Sequence, residues 1–249
     1  FFLYYPMQQP HVPRTPHPRF EGQSELGPRG DAIVEADWSL GELKKTLEVE
    51  GILENTLIIF SSDNGPVLND GYYDDSDVKN GDHTPWGPFR GGKYSLFEAG
   101  THVPFFTYWK GKIKAGVSNA MVSQLDLFSS LAQLVGSDVR TDDSLPLMDL
   151  LMGKSDQGRD ELVVEATSRT AFKKGEWVMI PPYKGPSVNE KVQIELGNYS
   201  DFQLYNLAKD IGQKNNLADS LPKKLQEMLT AFDAIRGDGY GETQKLELK

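Results

Sequence analysis

The reading turns on one stretch, Asn55-Thr56-Leu57-Ile58-Ile59-Phe60-Ser61-Ser62-Asp63-Asn64-Gly65-Pro66. Its first half is an apolar run, the pattern of a strand covered on both faces. Its second half ends that strand in an Asn-Gly turn and sets Asp63 and Asn64 at the carboxyl end, where open α/β sheets bind ligands. Two hard oxygen donors there suit Ca²⁺ or Mg²⁺ rather than zinc. The same residues also read as an ordinary Asn-Gly turn.

Upstream, apolar residues recur at Ile33, Ala36, Leu40, Leu43 and Leu47, which predicts a helix over residues 29–50, stopped by Gly51. Before it lies a polar, Pro-rich loop over residues 8–28. The opening Phe1-Phe2-Leu3-Tyr4-Tyr5-Pro6 reads as a buried strand entered in mid-course, so the chain is expected to be the later part of a longer one or a processed product. Strand, helix and apolar strand in that order argue a parallel sheet flanked by helices.

Downstream, residues 62–100 form a long Gly/Asp/Asn-rich loop of the kind that is usually functional. A strand is expected over 103–109. A helix follows over 123–136, with Leu125, Phe128, Leu131 and Val135 inward and Ser123 and Asp126 as a weak capping box; 145–152 reads as a short helix. The pattern then changes. Short strands over 160–167, 177–180, 191–196 and 202–205 suggest an antiparallel sheet. A last helix begins at Ser220, with Pro222 in its first turn and Leu225, Met228, Leu229, Phe232 and Ile235 on one face. The boundary falls near residue 155, giving an α/β domain over 1–155 and a small α+β domain over 156–249.

Composition bounds the function. The 249 residues are 38% hydrophobic and 25% charged, enough for a packed core. The net charge of -10 speaks against a duplex nucleic-acid partner. No apolar run approaches the ~20 residues of a membrane-spanning helix. The cysteine count is 0, which removes disulfides, zinc–thiolate sites and a cysteine nucleophile from this chain.

Two further segments carry chemistry. His11, in Gln9-Pro10-His11-Val12-Pro13, could serve as a proton donor or anion ligand, or be a solvated loop residue; His17 has the same ambiguity in a weaker context. In Arg90-Gly91-Gly92-Lys93 the paired glycines let backbone approach a ligand and Lys93 supplies a compact positive charge; the same residues also read as a common Gly-Gly turn with solvated cations. The spacing is not that of a P-loop.

In this order the motifs resemble the formylglycine-dependent sulfatases of the alkaline-phosphatase superfamily, over nearly the whole chain. The carriers are Pro10-His11-Val12-Pro13, Arg29-Gly30-Asp31, Ser62-Asp63-Asn64-Gly65-Pro66, Arg90-Gly91-Gly92-Lys93, Phe97-Glu98-Ala99-Gly100, Gly175-Glu176-Trp177 and Leu204-Tyr205-Asn206-Leu207. The resemblance implies an alkaline-phosphatase-like mixed sheet sandwiched by helices, incomplete here, with a small antiparallel C-terminal domain. It implies sulfate-ester hydrolysis through a formylglycine hydrate. Asp63 and Asn64 would ligate one Ca²⁺, with Mg²⁺ as the alternative, and Lys93 and His11 would contact the sulfate group and the ester oxygen. Asn64 stands where two-metal phosphatases of the superfamily carry a His, which favours a sulfatase. The run from Gly87 to Tyr94 looks most like bacterial sulfatases of sulfated glycans. His83, Arg90 and His102, with Trp86 stacking, would then form a sugar subsite; alternatively they only order the loop. Export to a periplasm or the cell exterior follows by family analogy.

The departures are as informative. The family's Cys/Ser-x-Pro-x-Arg nucleophile segment is not in this chain; Ser220-Leu221-Pro222-Lys223-Lys224 lacks the Arg. The early Asp-Asp metal pair is missing too, and Asp74-Asp75 and Asp142-Asp143 follow no buried strand. Both elements are expected in a preceding part of the same protein, and the fragment alone should be inactive. The rival readings are a phosphatase or phosphonate hydrolase on the same scaffold, and a catalytically inactive glycan-binding protein.

Overall fold

The computed structural model describes residues 1–236. In chain order the elements are α1 (Gly27–Val49), β1 (Ile58–Ser61), α2 (Ser76–Lys79), β2 (Phe105–Tyr108), α3 (Asp126–Leu134) and α4 (Met148–Leu151). Then come β3 (Glu161–Ala166), β4 (Arg169–Lys174), β5 (Trp177–Ile180), β6 (Val188–Asn189), β7 (Ile194–Glu195), β8 (Gln203–Asn206) and α5 (Pro222–Arg236). The part of the expected C-terminal domain beyond residue 236 lies outside the described residues.

β1 pairs with β2 antiparallel, Ser61 opposite Phe105, and the expected parallel pairing is not found among the described residues. The antiparallel register has a consequence for the long loop. It leaves β1 and re-enters β2 at one edge, where the Ser62 amide donates to the Pro104 carbonyl at 3.3 Å. β1 is half-buried along its length rather than covered on both faces. Nor do the first residues form a strand: Phe1 is 87% exposed and Phe2 to Tyr5 are exposed with it. Apolar composition gives a segment affinity for a sheet, but a strand needs ladder partners, and none pairs with it among the described residues.

The helices hold two corrections. α1 forms as expected, yet its apolar stripe is only half-buried and Ile33 is exposed; its buried residues are Arg29, Gly30, Asp31 and Ala32. Of the four residues its apolar spacing turns inward, α3 packs only Leu131 against the core, beside Leu127. Phe128 is 52% exposed and Leu125 and Val135 are exposed, while Asp126, Ser129 and Ser130 are buried. The reason is a polar network. The Asp126 carboxylate accepts from Arg159 Nε at 2.8 Å and from the amides of Ser123 and Leu145, both at 2.9 Å. Ser129 and Ser130 bond to residues 144–147. Satisfying a buried carboxylate outweighs the burial of two or three apolar side chains.

The four-stranded antiparallel sheet runs β3-β4-β5-β8. β4 and β6 are not foreseen, because Arg169-Thr170-Ala171-Phe172-Lys173-Lys174 and Val188-Asn189 carry little apolar signal. Alternation along the strands sets two faces. Phe172, Met179 and Leu204 pack against Met228 and Phe232 of α5, as its apolar spacing predicts, although Ile235 stays exposed. Ala171, Val178, Ile180 and Tyr205 face the other way and pack on Leu96 and Phe97. Those two residues directly follow Lys93-Tyr94-Ser95, so this sheet also positions the Gly-Gly-Lys loop.

Candidate anion site at the carboxyl end of β1

Three turns are laced together where β1 ends. The Gly65 amide donates to the Gly100 carbonyl, the Lys93 amide to the Pro66 carbonyl and the Ala99 amide to the Arg90 carbonyl, each at 2.9 Å. The approach is close enough to require glycine. A Cβ on Gly65 would lie 1.7 Å from the Ala99 oxygen, and one on Gly92 2.6 Å from the Pro66 oxygen. Asp63 is exposed at this edge, and its Oδ1 accepts from the Asn64 amide at 2.9 Å. The Asn64 side-chain amide donates to the Gly65 carbonyl at 3.0 Å, which leaves its Oδ1 as the oxygen available to a cation.

Lys93 lies across from a residue the sequence does not single out. Its Nζ is 2.7 Å from Asp70 Oδ2, and the Tyr94 hydroxyl donates to Asp70 Oδ1 at 2.9 Å. Tyr94 adopts φ 77°, a left-handed conformation that strains a bulky residue. Burial by itself pushes the Asp70 carboxyl up, but Lys93, Tyr94 and, less strongly, His11 outweigh it and hold it below the usual carboxylate range. Burial works against the Lys93 ammonium too, but Asp70 more than offsets it and raises Lys93 above the ordinary lysine value. Asp70 sits mid-loop without a motif around it; only the contact reveals it.

His11 reaches the same place through Arg14. That buried guanidinium donates to the Pro10 carbonyl on one side and to the Val67 and Leu68 carbonyls on the other, and pairs with Asp74 at 3.0 Å. The His11 loop is thereby tied to the residues between Asn64 and Asp70. The imidazole Nδ1 is 2.6 Å from the Val12 carbonyl. A carbonyl only accepts, so Nδ1 carries a proton and Nε2 is the nitrogen left for chemistry. The loops that carry His11, Asp63-Asn64 and Lys93 are therefore linked through their neighbours, by Arg14 to the Val67 and Leu68 carbonyls and by the Lys93 amide to the Pro66 carbonyl.

The expected sugar-subsite residues part company. Arg90 is turned inward: its Nε and Nη2 bind Glu195 at 2.7 and 2.6 Å, its Nη1 binds the Gln213 carbonyl at 2.7 Å, and the guanidinium lies over Phe97. His102 stacks on Phe89 and pairs through Nδ1 with buried Glu98 at 3.0 Å; its ring is otherwise exposed. His83 is exposed in a turn with Asn80, and Trp86 is half-buried. As for a cation, no group of three or more His, Cys, Asp or Glu side chains gathers among the described residues. Asp63 and Asn64 offer two oxygens of the right hardness, fewer than the roughly six to eight a Ca²⁺ ion takes.

The fold is of the alkaline-phosphatase-like α/β class, and the turns that carry His11, Asp63, Asn64 and Lys93 are linked by hydrogen bonds near the carboxyl end of β1. Residues 1–137 match the family model described as Sulfatase, and the chain belongs to the sulfatase family. It is 42% identical over 240 residues to an N-acetylgalactosamine-6-O-sulfatase of Bacteroides thetaiotaomicron, across 95% of this chain and 47% of that one. It is 29% identical to human arylsulfatase A, across 95% and 48%. Among solved structures, a Bacteroides thetaiotaomicron protein described under metabolism of multiple glycosaminoglycans superposes with a TM-score of 0.89 at 41% identity, covering 92% of this chain and 49% of that one. The PsFucS1 sulfatase from Pseudoalteromonas sp. gives 0.73 at 26% identity, covering 95% and 48%. The chain thus spans about half the length of the relatives it matches.

Proposed function

We propose that the protein is a sulfuric ester hydrolase acting on sulfated carbohydrate, with 6-O-sulfated N-acetylgalactosamine as the first substrate to try. The observation that carries this reading is the lacing of the His11, Asp63-Asn64 and Lys93 turns into one assembly. Likeness to an N-acetylgalactosamine-6-O-sulfatase supports the choice of sugar.

In this reading Lys93 binds a sulfate oxygen as a fixed positive charge and stabilises the charge that builds there. His11, held through Nδ1 on the Val12 carbonyl, presents Nε2 to the ester oxygen and delivers a proton as the alcohol departs. Asp63 and Asn64 would hold a Ca²⁺ ion, which when bound supplies polarisation of the sulfate. The nucleophile, a formylglycine, and the remaining metal ligands are assigned to a part of the protein outside this chain. No helix among the described residues is long and apolar enough to cross a membrane. A periplasmic or secreted enzyme, meeting a polymeric glycan outside the cell, fits the same reading.

The test is hydrolysis by the full-length protein of a sulfate and a phosphate monoester of the same alcohol, beside 6-O-sulfated N-acetylgalactosamine. Sulfate release in preference is expected. Faster phosphate turnover would make it a phosphatase, and glycan binding without turnover an inactive relative.

A further inference from the structure

The Lys93–Asp70 pair differs from the Arg14–Asp74 pair nearby. Arg14 meets Asp74 while also donating to three backbone carbonyls, so that pair stitches chain segments together. Asp70 instead meets the ammonium assigned to the substrate. Lys93 and Asp70 remain 15% and 16% exposed at their side chains, open enough for a ligand to reach.

We propose that Asp70 is a specificity-determining residue of this site, one that makes the Lys93 pair neutral so that a singly charged ester is favoured over a doubly charged one. This rests on the sulfatase reading above and deepens it. A sulfate monoester carries one negative charge. A phosphate monoester carries nearly two at neutral pH, its second pKa lying near about 6. The two groups are otherwise almost the same size and shape, so a site tells them apart by charge.

The geometry sets the strength. An oxygen held by the Lys93 ammonium sits about 2.8 Å from Nζ. Nζ is 2.7 Å from Asp70 Oδ2. Whatever the direction of approach, that oxygen lies within about 5.5 Å of the carboxylate. At this separation each additional negative charge on the ligand is disfavoured by about threefold to a hundredfold, across effective dielectrics from water to a protein surface. The Tyr94 hydroxyl on Asp70 Oδ1 keeps the carboxylate in place. Both members of the pair are charged at neutral pH, since each holds the other in its ionised form.

The experiment compares the full-length wild type with Asp70→Asn, Asp70→Ser and Asp70→Glu. The probes are sulfamate, a monoanion, and inorganic sulfate, its near-isosteric dianion, with dissociation constants measured directly. Removing the charge should shift the ratio toward the dianion by at least about threefold, and Asp70→Glu should leave it near the wild-type value. In turnover, phosphate-ester hydrolysis should rise relative to sulfate-ester hydrolysis by a similar factor in both neutral variants. An unchanged binding ratio in whichever neutral variant folds overturns the proposal. A wild type that binds both anions but hydrolyses no sulfate ester refutes the sulfatase reading instead, and the binding ratio still decides the role of Asp70.

Discussion

Arg90 and Glu195, 105 positions apart in the chain, close a bidentate pair at 2.7 and 2.6 Å that ties the Gly-Gly-Lys loop to the C-terminal strands. Together with Leu96 and Phe97 in the core of the sheet, it fixes the backbone from which Lys93 projects. Glu195 holds Arg90 above its ordinary value, with burial working against it.

Arg90→Ala and Glu195→Ala should both weaken this junction, Arg90→Ala somewhat more because it also removes the bond to the Gln213 carbonyl. Each is expected to cost about 1–2 kcal/mol, the range of charge-assisted hydrogen bonds reduced for the partial exposure of Glu195. A double-mutant cycle on unfolding free energies should recover most of that as coupling. If Arg90→Ala instead leaves stability intact and raises KM alone, the guanidinium belongs to the substrate and not to the junction.

Gly65→Ala should damage the site without touching a charged group. The added carbon would lie 1.7 Å from the Ala99 oxygen, so the Asp63-Asn64 turn and the Glu98–Gly100 turn must separate. A loss of about 2 kcal/mol or more is expected by denaturant titration, with a larger proportional loss of activity. Gly116→Ala, where a Cβ meets nothing within 4 Å, is the control and should stay within about 0.5 kcal/mol.

Glu98 predicts an acid limb of stability. Burial pushes its carboxyl up, but His102 and Lys173 outweigh that and hold it below its ordinary 4.5. A depressed folded pKa gives stability that is complete above the unfolded value and is lost as pH falls through the folded one. Glu98→Gln should cost about 3 kcal/mol at neutral pH, because Lys173, 2.9 Å away and buried, loses its counter-charge. Below pH 4.5 the difference from wild type should shrink. A gap that stays constant down to pH 3 or so would mean that Glu98 is not the titrating group.

Asp63→Ala tests the cation directly. The full-length enzyme should lose activity on chelation, regain it with Ca²⁺, and in the variant need a markedly higher Ca²⁺ concentration. Metal content measured alongside should fall in the same variant. Full Ca²⁺ occupancy in Asp63→Ala would remove that side chain from the ligand set.

How far the sequence carries depends on what kind of force sets each feature. The α5 face, the turn after β1 and the two-faced sheet around Trp177–Ile180 follow from local pattern, and local pattern is what a sequence displays. The inward face of α3 does not follow, because Asp126 finds Arg159 from 33 residues away. Likewise Asp70 becomes visible only when a 23-residue separation closes on Lys93. The same holds for Arg90, whose partner Glu195 lies 105 positions away. Long-range ion pairs set the α3 face and the surroundings of Lys93 and Arg90, while the misread first residues lack a ladder partner among the described residues and β4 and β6 carry little apolar signal.

His11 gives the sharpest kinetic expectation. Its Nδ1 is committed to the Val12 carbonyl at 2.6 Å, so only Nε2 can deliver a proton. An acid at that position matters in proportion to how poorly the alcohol leaves. His11→Ala should therefore lower kcat by about 100- to 10,000-fold on a sugar sulfate, whose alkoxide is a poor leaving group. On an aryl sulfate carrying a strongly electron-withdrawing ring, the same substitution should cost far less, since the phenolate departs without help. Equal losses on the two substrates would show that His11 binds the sulfate group and does not protonate the ester oxygen.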